Sequence, residues 1–243
     1  MVMSEGDRQP GDSDAVLGNL ILPPRGGLVL GGMERIKRQA ASLEVDQQMT
    51  ALLDALNYGD AGLAFLVQSL SHEAAQIRRA AHQILWQNPG LPCLKALLAA
   101  QNWKLADEMT SLIILKLAHR QSIGSLTIED IGKFPCTDLL DLDHLWMVQS
   151  NGRFGFSVQG VIWQRLGGKP NSDWRMWCRF GQQVGWLTRG SWLWWNELNF
   201  SLTAPAGHLP GGSVYMGWGL GDFWIGCRAL SALTSRMTAC LLK

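Results

Sequence analysis

The sequence predicts a mainly α-helical protein: a small N-terminal helical bundle, then a larger helical domain that carries one small β-hairpin. Three observations support this reading. Apolar residues recur three and four apart over most of the chain after Met33, which puts them on one face of a helix. Alternating spacing occurs once, at Val184, Trp186 and Thr188 and again at Trp192 and Trp194, across the turn pair Arg189-Gly190. Clusters such as Asn57-Tyr58-Gly59-Asp60, Asn88-Pro89-Gly90 and Gly167-Gly168 separate the periodic runs.

Residues 1–32 are rich in Gly, Pro, Asp and Ser, with an apolar patch at Leu20-Ile21-Leu22; this composition predicts a disordered tail. From Met33 to Gln87 the pattern is helical. Ile36, Ala40 and Leu43 share a face, followed by Met49, Leu52, Leu53 and Leu56, and then by Leu63, Leu66, Val67 and Leu70. Ser71 reads as the N-cap of a last stripe, Ile77, Ala80, Ala81, Ile84 and Leu85. Helix pairs of this length, with Arg78-Arg79 ahead of small residues, resemble HEAT-type helices. Fewer than two clear copies are present, so residues 33–90 read as a small bundle. Asn88-Pro89-Gly90 marks the boundary to a core domain over 91–243.

In that domain Leu94, Leu97 and Leu98 lie inside a short helix. Asn102 caps the next, which turns Trp103, Ala106, Met109, Ile113 and Leu117 to one side. Thr127-Ile128-Glu129-Asp130 has capping-box spacing and opens a short turn before Phe134-Pro135. Asp138 reads as the cap of a helix burying Leu139, Leu142, Leu145 and Trp146, which Asn151-Gly152 stops. Ser157 reads as the cap of another, burying Val158, Ile162 and Leu166. Pro170-Asn171-Ser172 leads into a helix with Trp174 and Trp177 that closes at Gly181. After the hairpin, residues 201–221 form a Gly/Pro loop. Asp222 caps a final helix with Phe223, Cys227, Leu230, Leu233 and Met237 on one face.

Composition narrows the function. The chain of 243 residues is 47% hydrophobic and 17% charged, with a net charge of +1. Residues 101–243 hold 13 Lys/Arg against 10 Asp/Glu, too weak a surplus for a nucleic-acid footprint. Cys93, Cys136, Cys178, Cys227 and Cys240 form no CxxC pair, so neither a zinc ribbon nor a redox motif is indicated. Buried, reduced thiols in a cytosolic protein are the expectation. No signal peptide is visible, and the longest uncharged run, Leu198–Gly221, is broken by Pro205, Pro210 and six glycines.

No catalytic set stands out. Asp138, Asp141 and Asp143 cluster near a helix start, where carboxylates complement the dipole. The five histidines show no metal-ligand spacing. Gly211-Gly212 and the later glycines lack the strand before them and the Lys-Ser/Thr after them that a phosphate cradle needs. The outlier is Trp, with 12 copies, of which only Trp86 precedes residue 100. Such rings either fill a core or line a flat apolar cleft.

One stretch carries more. Lys133-Phe134-Pro135, the spaced Leu145-Trp146, Ser150-Asn151-Gly152-Arg153-Phe154-Gly155-Phe156-Ser157-Val158-Gln159 with Trp163 four residues on, and Gly207-His208-Leu209-Pro210 recur in an order that resembles the genomes-uncoupled-four family. The similarity spans roughly Leu97 to Pro210. Members of that family are porphyrin-binding accessory factors of magnesium chelatase. The resemblance implies an all-helical, cupped core and a pigment cleft between two mobile loops, matching Leu126–Phe134 and the loop after Pro210. It further implies a non-catalytic regulator of chlorophyll synthesis of cyanobacterial or plastid type. The implied ligands are protoporphyrin IX and magnesium protoporphyrin IX, with no covalent cofactor. The implied partner is the large, porphyrin-binding chelatase subunit, and the location is cytoplasmic, peripheral at photosynthetic membranes, as a monomer.

The candidate site follows from both lines. Leu126, Ile128, Ile131 and Phe134 would form one wall, His208, Leu209, Ser213 and Met216 the other, and Trp192 the floor. A flat macrocycle needs an apolar slot with donors or cations at its mouth. The competing assignment puts Trp146, Phe154 and Phe156 in the core, and leaves Ile131 and Phe134 equally open to either role. Arg is absent between Arg189 and Arg228. A sensor of another tetrapyrrole, such as a bilin or haem, and an interaction scaffold without pigment remain the alternatives.

Overall fold

Most of the described helices bury the stripe their sequence periodicity marks out, as a computed structural model shows for residues 32–42, 44–169, 172–212 and 223–242, with side chains of the last helix from 228 onward. Two expectations are corrected: Leu53 is exposed, and the helix after Gly155 buries Phe156, Gln159, Gly160 and Trp163 while Val158, Ile162 and Leu166 are only half-buried. The predicted tail and the Asp222 cap lie outside the described residues, as do the side chains of Phe223 and Cys227. The order is α1 (Gly32–Ala40), α2 (Val45–Ala55), a 3-10 turn (Leu56–Tyr58), α3 (Gly59–Ser69), α4 (Ala75–Gln87), α5 (Leu91–Ala99) and α6 (Trp103–Leu117). Then come α7 (Ile128–Gly132), α8 (Cys136–Gln149), α9 (Phe156–Arg165), α10 (Trp174–Val184), strands β1 (Leu187–Thr188) and β2 (Ser191–Trp192), a 3-10 turn (Trp195–Glu197) and α11 (Phe223–Leu241). The fold is mainly α with one small antiparallel hairpin, as the sequence predicts.

α5 packs against α3, α6 and α8. One apolar cluster therefore runs from Ile36 to Met237 across the Asn88-Pro89-Gly90 turn. A second cluster holds Trp163, Trp177, Phe180, Val184, Trp186, Leu198 and Leu230. The Trp bias mostly fills these interiors. Trp146, Trp163, Trp177 and Trp186 are all fully buried. Each such ring removes about 200 Å² from water, about 5 kcal/mol of transfer free energy. Edge-to-face contacts order them: Trp103 meets Phe154 at 5.5 Å, and Phe180 meets Trp186 at 5.6 Å. Phe154 and Phe156 are core, as the competing assignment has it.

Several local expectations are corrected. Asn102 does cap α6, accepting from Leu105 N–H at 3.4 Å. Thr127 and Asp130 do form a capping box. The cap of α8, however, is Pro135, and Asp138 sits one turn inside, where its charge still suits the dipole. α4 begins after Ala74, not Ser71, because Ala74 N–H is taken by His72 Nδ1 at 3.1 Å. α9 is capped from outside. Gly155 takes φ +132°, and the Ser157 N–H donates to Asp143 Oδ1 of α8 at 2.9 Å. A Cβ at Gly155 would stand 2.8 Å from that oxygen, which explains the glycine. Asp143 thus acts through a buried contact rather than only through a helix dipole, and burial pushes its carboxyl above the usual range.

α10 runs past Gly181 and stops at Gly185, which is left-handed at φ +79°. Gly181 serves a different need: a Cβ there would lie 2.4 Å from the Trp192 ring. Val184 is accordingly helical, and the hairpin is shorter than its alternation suggests, pairing Leu187 with Trp192 and Thr188 with Ser191. Arg189 and Gly190, at φ +51° and +83°, make the mirror-type turn that matches strand twist.

The cysteine expectation is overturned at two positions. Cys136 and Cys240 form a disulfide across a sequence separation of 104. No local spacing announces a bond between the first turn of α8 and the last of α11. Cys93 is a free, buried thiol and Cys178 a free, half-buried one. No helix among the described residues is long and apolar enough to cross a membrane.

Candidate functional site

The wall at Leu126–Phe134 is fixed at both ends. At its start, Thr127 Oγ1 accepts the Asp130 N–H at 3.2 Å, while Asp130 Oδ2 takes the Thr127 N–H at 2.8 Å. Arg120 Nε pairs with the same carboxylate at 3.0 Å. The Thr127 amide first, and Arg120 after it, hold the Asp130 carboxyl below the usual range. At its end, the Arg236 guanidinium of α11 donates to the Phe134 carbonyl, from Nε at 2.8 Å and from Nη2. α7 packs on α11 along its length. Leu126, Ile131 and Phe134 are buried by this packing, and Ile128 is 36% exposed. The wall therefore shows one apolar side chain to solvent and keeps the other three inside.

The segment predicted as the second wall, Gly207–Gly212, is clasped by the turn that the sequence singles out. Gln159, buried in α9, donates through Nε2 to the Gly207 carbonyl at 3.0 Å and the Pro210 carbonyl at 2.9 Å. Gly155 N–H donates to the Leu209 carbonyl at 3.0 Å. Gly207 N–H reaches the Arg153 carbonyl at 2.9 Å, and Arg153 Nε returns to the Ala204 carbonyl at 2.7 Å. The peptide between Leu209 and Pro210 is cis. The two motifs that are 50 residues apart in sequence thus form one hydrogen-bonded clasp.

His208 completes it. The ring is 2% exposed. Its Nδ1 lies 2.6 Å from the Val184 carbonyl, and its Nε2 accepts the Asn199 N–H at 3.0 Å. That pair of partners fixes a neutral ring with the proton on Nδ1. Burial lowers its pKa, opposed by the Val184 contact. Both nitrogens are engaged, so neither is open to a metal in this arrangement.

The segment ends on a group that the sequence reading passed over. Asp107 of α6 is completely buried. Its Oδ1 accepts the Gly211 N–H at 2.6 Å, and its Oδ2 accepts the Gly212 N–H at 2.5 Å and Trp195 Nε1–H at 2.6 Å. Burial pushes its carboxyl up to about 6, against the pull of these three donors. The glycine amides are thus already bound to an acid and are not an anion cradle. A Cβ at Gly212 would sit 2.3 Å from Asp107 Oδ2. The available signal was an acid on the same helical face as Trp103, Thr110 and Ile114. Gln159 gave a similar one, a polar residue placed among Phe156, Gly160 and Trp163.

Of the proposed site residues, Leu126, Ile131, Phe134 and Leu209 share the large apolar cluster. α11 packs against both α7 and α9, and so bridges the wall and the helix that holds the clasp. Trp192 stands apart, stacked on Trp177 at 5.5 Å in the second cluster. Ser213 and Met216 lie outside the described residues. A groove of about 380 Å³ opens on the α9–α11 seam, lined by Trp163, Gln164, Thr234 and Thr238 among others. Among the described residues no three His, Cys, Asp or Glu side chains gather as a metal site.

These features define a mainly helical protein in which a Gly-rich turn clasps a Gly-His-Leu-Pro segment and a short capped helix packs on the last helix. The chain belongs to the GUN4-like family, whose model matches residues 87–223, more than half its length. It is 36% identical over 120 residues to the uncharacterized protein ycf53 of Porphyra purpurea, covering 48% of each chain. It is 32% identical over 71 residues to a chloroplastic tetrapyrrole-binding protein of Arabidopsis thaliana, covering 28% of this chain and 27% of that one. The chain spans about half the length of the first of these relatives. The ligand-free Arabidopsis thaliana GUN4 structure superposes with a TM-score of 0.47 at 26% identity, covering 58% of this chain and 92% of that one.

Proposed function

We propose that this chain binds a tetrapyrrole, protoporphyrin IX or magnesium protoporphyrin IX, and is a non-catalytic regulator of magnesium chelatase in chlorophyll synthesis. The observation that carries the reading is the family match over residues 87–223, which takes in both the α7 wall and the whole clasp. The Arabidopsis relative, a tetrapyrrole-binding protein by name, supports the ligand class. The wall's chemistry agrees. Ile128 offers an exposed apolar contact at the end of a rigid helix, backed by buried Ile131 and Phe134. Covering roughly 300 Å² of a pigment face would contribute about 7 kcal/mol, enough to exceed an association cost of at least about 4 kcal/mol. The chelatase's large subunit would then receive or release the pigment at this face. The protein would work as a monomer at the surface of photosynthetic membranes.

The test is a titration of the purified chain with protoporphyrin IX, magnesium protoporphyrin IX, haem and a bilin. The reading expects saturable Trp quenching and a Soret shift at micromolar porphyrin or below, with the magnesium form preferred. Saturation by haem or bilin alone would refute the assignment of pigment, and no saturation by any of the four would refute pigment binding.

A further inference from the structure

The Cys136–Cys240 disulfide joins two elements that already meet at the wall. Cys136 opens α8 two residues after Phe134. Cys240 lies one helical turn after Arg236, whose guanidinium holds the Phe134 carbonyl. Leu233 and Met237, on the same stretch of α11, are buried in the apolar cluster with Leu126, Ile131 and Phe134. The bond is therefore a second fastener between the end of α11 and the α7–α8 junction, parallel to the Arg236 contact.

It is also reachable. Cys136 is half-buried, between exposed Pro135 and exposed Thr137, whereas Cys240 is buried. On the α11 side the neighbours Thr238, Ala239 and Leu241 are exposed. Cytoplasm-like compartments keep thiols reduced, so disulfides found there are mostly transient or sensing ones. We propose that Cys136–Cys240 is a thiol-redox site, opened by a dithiol reductant of the thioredoxin class, that sets how firmly α11 holds the Leu126–Phe134 wall.

A reductant thiolate attacks the accessible Cys136 sulfur, forming a mixed disulfide and releasing the Cys240 thiolate, which takes a proton. The reductant's second thiolate then attacks its own sulfur in that mixed disulfide and releases the Cys136 thiolate. Two electrons and two protons pass from the dithiol to the chain, and the reductant leaves as a disulfide. Cys136 stands at the N-terminus of a 14-residue helix, where the dipole stabilises a thiolate and favours its departure in the second step. Cys93 and Cys178 are unpaired and serve as internal controls.

The consequence for pigment rests on the tetrapyrrole reading, and the redox step itself does not. The full chain is incubated with thioredoxin and its reductase, then assayed for thiol count, tryptic cleavage after Lys133 and Arg236, and affinity for magnesium protoporphyrin IX. Alkylation is expected to label two more thiols after reduction than before, with Cys136 and Cys240 appearing together. Cleavage after Arg236 should accelerate, and the Kd should rise about tenfold. Cys136→Ser and Cys240→Ser should each behave as the reduced protein whatever the reductant, while Cys178→Ser keeps the response. Five reactive thiols in the air-oxidised native protein would overturn the proposal. So would a bond that thioredoxin opens only in denaturant, or opening that changes neither cleavage nor affinity. If pigment binds in neither state, the tetrapyrrole reading fails, and thiol count and cleavage still decide the redox site.

Discussion

Asp107→Ala removes the acceptor for three buried donors at once, the amides of Gly211 and Gly212 and the indole of Trp195. Leaving a buried donor without a partner costs about 1–3 kcal/mol. Three such losses, partly relieved because one charge no longer has to be buried, leave a destabilisation of about 3–6 kcal/mol. For a chain of this size that lowers Tm by about 10 °C or more. Asp107→Asn is the sharper variant. Its oxygen can still serve Gly212 and Trp195, but its amide then faces the Gly211 N–H, donor against donor, at a cost of about 1–3 kcal/mol. The pH dependence has a definite sign. The folded carboxyl titrates near 6, above the ordinary 3.8. The folded state therefore binds this proton more tightly, and the cost of ionisation is present above pH 6 and is lost as pH falls from 6 towards 4. Wild type should gain up to about 3 kcal/mol relative to Asp107→Asn over that window. Urea melts of both proteins from pH 4 to pH 8 measure the difference. A wild-type advantage that grows with rising pH would refute the raised Asp107 pKa, and an Asp107→Ala variant as stable as wild type would refute Asp107 as the anchor of the three donors.

Gln159→Ala leaves the Gly207 and Pro210 carbonyls without their donor and should cost about 2–4 kcal/mol, read as a lower denaturation midpoint with an unchanged slope. Gly155→Ala forces φ +132° on a side chain and presses it against Asp143, so the melting curve should shift by about 2 kcal/mol or more. The His208 imidazole should show its proton on Nδ1 by nitrogen NMR and stay neutral at pH 6.5, since its folded pKa is depressed. Its contribution to stability is then full above the unfolded value near 6.5 and falls away as pH drops below it.

The helices were legible because their stripes are long and their breaks are rich in Gly, Pro and Asn. Caps were legible only where the donor and acceptor are both local, as at Asn102 and Thr127. They were misread where the partner comes from elsewhere, as at α9, which Asp143 of α8 caps across the Gly155 turn. The same limit hid the disulfide and the clasp. Cys136–Cys240 spans 104 positions, and Gln159 meets carbonyls 48 and 51 residues away. The motif residues that carry the resemblance, Ser150 to Gln159 and Gly207 to Pro210, were legible as a pattern and not as a contact. Folded, they hold one another. Trp abundance pointed equally to core and cleft, and the fully buried Trp146, Trp163, Trp177 and Trp186 fell to the core.

The central claim is that a planar tetrapyrrole rests against α7, and Ile128 tests it with little disturbance because its side chain is part-exposed. The measurement is the Kd for magnesium protoporphyrin IX of wild type and Ile128→Asp, with thermal melts to confirm equal stability. The account predicts saturable binding by wild type and affinity at least tenfold weaker in the variant, about 1.4 kcal/mol or more. Equal affinities in two equally stable proteins would contradict it.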